Sequence, residues 1–99
     1  MTAPEMTGQT AEKRLEEAGE ELGRVLAALP PETKTLVREI KQNVQLEFEE
    51  QRKQGKYMDR SAFFAAALIG HEDLRDENLI RAAANYVDAN HAYMKAQQA

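Results

Sequence analysis

The densest group of residues that could do chemistry lies between positions 71 and 76, where an imidazole is followed by three carboxylates. These residues are His71, Glu72, Asp73 and Asp76. Imidazole and carboxylate groups bind metals and serve in acid–base catalysis. Their spacing matches no HExxH pair, no EF-hand loop and no Glu-x-x-His pair of a di-iron bundle. Because acidic residues are favoured in the first turn of a helix, we expect the three carboxylates to mark the beginning of a helix.

Nucleophilic chemistry has little support in the sequence. Ser61 is the only serine, there is no cysteine, and neither a GxSxG elbow nor a glycine-rich phosphate loop occurs. Without cysteine there is also no disulfide or thiolate metal site, which is typical of a reducing compartment. We therefore expect a cytoplasmic protein that is not an enzyme and that binds no cofactor or metal.

The overall charge disfavours nucleic acid and membrane surfaces as partners. Thirteen basic and seventeen acidic residues give a net charge of −4, which repels polyanions at long range. A helix-turn-helix around Gly70 is opposed by the acidic sequence HEDLRDENL, which would begin the recognition helix. The longest apolar run, residues 62–69, is eight residues, whereas a membrane span needs about 20.

Two rows of like charge recur at helical spacing. The basic row is Lys34, Arg38 and Lys41, and the acidic row is Glu12, Glu16 and Glu20 with Glu17 and Glu21 beside it. Exposed ion pairs form at little cost in free energy, so we expect these rows to pair with each other inside the molecule, with an external partner as the alternative.

Apolar residues at intervals of three and four predict an all-α bundle of four helices. Their expected bounds are about 10–29, 31–53, 60–69 and 73–96 in a single domain, 10–99, preceded by a flexible tail, 1–9. Proline at 30 and 31 and glycine at 55 and 70 mark the breaks. The third helix, with the sequence AFFAAALI, is apolar on every side, which predicts that it lies at the centre.

The fourth helix carries two adjacent apolar series, each with a period of seven residues. The series are Leu79, Tyr86 and Tyr93, and Ile80, Val87 and Met94. Neighbouring series of this kind predict packing against two other helices. In the first helix, Gly19 and Gly23 lie four residues apart on one face, either weakening the helix or marking the close approach of another.

The core is thin, because sixteen of the hydrophobic residues are alanine, and this predicts association. We expect a non-enzymatic protein–protein interaction module, self-associating as a homo-oligomer or docking another protein. Its contact residues would be Leu46, Tyr86, Asn90, Tyr93 and Met94. Asn90 falls inside the apolar face of the fourth helix, where it would fix the register of an interface or bond locally. The alternatives are a small-ligand or metal-binding bundle using His71 and, behind it, a nucleic-acid-binding regulator.

Overall fold

The computed structural model describes residues 8–55 and 59–98, and these residues form four α-helices and no strand. The helices are α1, Gly8–Ala27; α2, Pro31–Lys53; α3, Arg60–Gly70; and α4, Glu77–Gln98. The predicted all-α bundle is confirmed. Residues 1–7 of the expected tail lie outside the described residues, whereas residues 8 and 9, also predicted as tail, are helical.

The break between α1 and α2 follows from two consecutive prolines. The helix α1 ends at Ala27 instead of the predicted residue 29, because a residue that precedes proline is disfavoured in the α conformation. Pro30 is extended, with φ −60° and ψ 154°, and Pro31 occupies the first turn of α2, where its missing N–H leaves no bond unmade. At the other end of α2, Gly55 takes φ +79°, a conformation that glycine adopts without strain.

Aspartate side chains begin the two C-terminal helices. An Asp59 carboxylate oxygen accepts a hydrogen bond from the backbone N–H of Ala62 at 3.0 Å. The Asp76 carboxylate does the same for Leu79 at 3.0 Å, so Asp76 and not Asp73 precedes α4. Both contacts satisfy an N–H group that has no partner within the helix.

The four helices pack in an order that differs from their order in the chain. The helix α1 packs mainly against α4, α4 also contacts α3, and α3 contacts α2. The predicted pair of neighbours for α4 is confirmed. The molecule measures 49 × 34 × 19 Å along its principal axes, so it is about two helix diameters thick in its shortest dimension.

The core contains residues from all four helices and from the connection before α4. Leu68 of α3 and Leu79 of α4 are its largest fully buried side chains, and Leu74 in the connection is buried as well. The predicted central helix α3 does lie between α4 and α2, but it is not a fully buried helix, because Ala66 and Ile69 are exposed on one of its faces. Within the described ranges, no helix combines the length and apolar character needed to cross a membrane.

Candidate docking surfaces

Two of the five predicted contact residues are exposed apolar side chains. Leu46 on α2 is 67% exposed and Met94 near the end of α4 is 47% exposed. Leu46 lies away from the apolar stripe of α2, whose residues Val37, Ile40 and Val44 are buried on the other side of the helix. These two side chains are therefore available to a partner.

Tyr86 is half-buried and packs against the core, so the expectation that it is an exposed anchor is wrong. Its ring lies against α1 at Gly19, where a Cβ atom would be 3.4 Å from Tyr86 Cε2. This contact shows that Gly19 marks a close approach of two helices, whereas a Cβ at Gly23 would meet nothing within 4 Å. Burial raises the pKa of the Tyr86 phenol; a hydrogen bond with Ser61 lowers it, and the nearby Asp59 charge raises it.

Asn90 is buried, at 4% exposure, and bonds within its own helix. Its side-chain amide donates to Met94 Sδ at 3.5 Å, which matches the local alternative predicted for it. Tyr93, one residue before Met94, is half-buried. This side of α4 thus offers Met94 as its one strongly exposed large apolar group among the described residues.

In the acidic group at residues 71–76, His71 and Asp76 make local hydrogen bonds at the connection between α3 and α4. His71 follows the last residue of α3, and its Nδ1 accepts a hydrogen bond from the Asp73 backbone N–H at 3.2 Å. Asp76 caps α4. Across the described residues, no three His, Asp or Glu side chains converge to form a metal site.

A groove that the sequence did not reveal runs between the end of α1, α2 and α3. It consists of two adjoining depressions of about 300 and 350 Å³ that share Lys41 and Phe64. Its floor is apolar and is formed by Leu26, Leu29, Val37, Val44 and Phe64. We call it the basic groove, because four cationic side chains also line it: Lys34, Arg38, Lys41 and Arg60.

Among the described residues, no acidic side chain lies against the cations of the basic groove. All four cations are exposed, and no carboxylate of the described residues lines the groove. The predicted pairing of the basic row with the acidic row of α1 is wrong, because α1 lies along α4 and its glutamates face solvent. In the described part of the chain, the only ion pair joins Arg24 to Glu21 within α1.

The spacing in the sequence indicates the basic row but not the groove. Arg60 and Phe64 of α3 complete the groove, together with Leu26 of α1 and Leu29 in the connection between α1 and α2. The spacing within α2 carries no signal for these residues, because their proximity depends on which helices become neighbours. Comparisons with protein-family models, with curated proteins and with solved structures find no match to this chain.

Proposed function

We propose that this chain is a non-enzymatic helical interaction module that docks another protein or a second copy of itself. One observation carries the proposal: the basic groove has an apolar floor that is partly open to solvent at Leu26 and Phe64, beneath four cations that no carboxylate of the described residues neutralises. An apolar centre with a polar margin is the usual anatomy of a protein interface.

The apolar floor and the surrounding cations of the basic groove would contribute to binding in different ways. Covering the half-buried Leu26 and Phe64 removes apolar surface from water, which stabilises a complex by about 25 cal/mol per Å². The surrounding cations would select an acidic partner and speed its approach, an effect that salt weakens.

The metal-binding alternative at His71 gains no supporting observation. Its imidazole Nδ1 is engaged by the Asp73 backbone N–H, and Asp76 caps a helix. The nucleic-acid alternative has cations in the groove, but the net charge of −4 opposes it. The cytoplasmic location stays a prediction from the cysteine-free composition.

Self-association is tested by sedimentation equilibrium from about 5 to about 500 μM, a range that detects micromolar to near-millimolar affinity. We expect the average mass to rise reversibly with concentration, and to do so less at high salt.

A heterologous partner is tested by a photo-crosslinking amino acid at Lys41 in the native cell, with the same group at Lys95 as the control. We expect one protein that is captured from Lys41 but not from Lys95. Its titration with the purified chain should then be weakened by Lys41→Glu. A monomer at every concentration, together with no position-specific crosslink, would contradict the proposed function.

A further inference from the structure

Leu46 is an isolated apolar side chain surrounded by acidic and neutral polar residues. On a helix, the surface neighbours of a residue lie three and four positions away. For Leu46 these are Gln42, Asn43, Glu49 and Glu50, all of them exposed. We call Leu46, Glu49 and Glu50 the acidic knob. It has one apolar group with two carboxylates one turn further along α2, and the bases Arg52 and Lys53 follow in the last turn of the helix.

The acidic knob lies on the exposed side of the last part of α2, where Phe48 and Gln51 on the other side are half-buried. No residue of α2 after Val44 is buried. With 23 residues in α2 and 11 in α3, the two helices are about 35 and 16 Å long at 1.5 Å per residue. The C-terminal part of α2 therefore projects past the helix on which α2 packs, and the knob is accessible to another molecule.

We infer that the occupant of the basic groove is the acidic knob of a second copy of this chain. Leu46 would enter the apolar floor beside Phe64, while Glu49 and Glu50 approach Lys41 and Arg60 at its margin. The argument is complementarity of charge and of apolar surface: the groove has four cations and no lining carboxylate, the knob places Glu49 and Glu50 beside Leu46, and each surface has an apolar centre. The inference rests on the proposed function and narrows it to one partner and one geometry.

The position of both surfaces on α2 fixes the kind of assembly. Lys41 and Leu46 are five residues apart, which places them about 140° apart around the helix axis. Knob and groove thus face different directions, and two copies joined knob to groove still have one free knob and one free groove. Such a contact is heterologous, so it continues beyond the dimer into a ring or a chain of copies.

Single substitutions on the two surfaces test the contact by sedimentation. Leu46→Asp on the knob should weaken association at least about tenfold, the effect of losing one buried leucine. Lys41→Glu in the groove should weaken it as well, because it places a like charge opposite Glu49 and Glu50. The matched controls are Ala66→Asp and Lys95→Glu, which make similar changes at exposed positions outside both surfaces. They should associate like the unmodified chain, and circular dichroism should show unchanged helix content in all four variants.

Mixing the two deficient variants tests the geometry. The Lys41→Glu chain keeps its knob and the Leu46→Asp chain keeps its groove, so the mixture should form a 1:1 dimer. That dimer should grow no further, because the remaining knob and groove are the altered ones. If the chain instead formed a symmetric dimer, groove against groove or knob against knob, mixing the two variants would not restore the association that an altered surface had lost.

The outcomes separate this inference from the proposed function. If the chain self-associates but Lys41→Glu and Leu46→Asp associate normally, the inference is overturned and the proposed function stands. A chain that stays monomeric to about 500 μM overturns the inference, and the crosslink from Lys41 then decides the proposed function. If Lys41→Glu instead abolishes salt-sensitive binding of a short single-stranded oligonucleotide, the groove serves nucleic acid and the inference is wrong.

Discussion

The contact between Gly19 and Tyr86 makes a quantitative prediction about the packing of α1 on α4. Gly23 and Gly19 both lie inside α1, where replacing glycine by alanine favours the helix by about 1 kcal/mol. A Cβ at Gly23 meets nothing within 4 Å, and a Cβ at Gly19 meets the Tyr86 ring at 3.4 Å, an ordinary van der Waals distance. Both alanine variants should therefore raise the melting temperature by about 4–8 °C, the shift that 1 kcal/mol produces in a domain of this size.

Isoleucine at the same two positions should have opposite effects on the stability of the fold. Its branched side chain is stiff in a helix, so at Gly19 the added carbons would overlap the Tyr86 ring and destabilise the fold by about 1–3 kcal/mol. At exposed Gly23 the same residue should still be slightly more favourable than glycine. Thermal and urea unfolding of the four variants, at concentrations where each is monomeric, measures the differences. Equal stability of Gly19→Ile and Gly23→Ile would refute the close approach of α1 to α4 at Tyr86.

Three further predictions concern the core, a helix cap and pH. Leu68→Ala should lower the free energy of unfolding by about 2–5 kcal/mol because Leu68 is fully buried, and urea unfolding measures this loss. The control Leu46→Ala should change the free energy of unfolding little, and an equal loss in the two variants would contradict the assigned burial. Asp76→Ala should cost about 1 kcal/mol through the lost bond to the Leu79 N–H, and an unchanged melting temperature would count against that cap. The pKa of Tyr86 is raised in the folded state, so with rising pH the phenol ionises first in the unfolded chain. The contribution of the Tyr86 pKa shift to stability is full below about pH 10 and is lost as the pH rises through the folded pKa. The free energy of unfolding of the unmodified chain should therefore fall relative to that of Tyr86→Phe as the pH rises above about 10, and a relative rise with pH would show that the sign is wrong.

The helix bounds were predictable where a single residue controls them. Pro31 and Gly55 act through their own backbone conformations, so the predicted bounds of α2 match the observed ones. The start of α4 was placed three or four residues too early, because Asp73 and Asp76 are equally suitable caps in the sequence. In the structure Leu74 is buried in the connection before the helix, and Asp76 makes the capping bond.

The candidate surfaces were only partly predictable. The exposure of Leu46 follows from its angle on α2 relative to Val37, Ile40 and Val44, which is a local property. The basic groove depends on α1 packing against α4 and leaving Leu26 and Leu29 beside α2. The spacing of residues within a helix does not determine which other helix it packs against. The predicted pairing of the acidic row with the basic row was wrong for this reason, because it required α1 to lie beside α2.

The packing of α1 against α4 also bears on the order in which the chain folds during synthesis. Fifty positions separate Ala27 from Glu77, so α1 leaves the ribosome well before the helix that covers it. Contacts between α2 and α3 are closer in sequence and form with less loss of chain entropy. Until α4 emerges, the apolar side of α1 stays open to chaperones and to other nascent chains. A chain that stops before Glu77 should accordingly bind more of a hydrophobic dye than the full chain does.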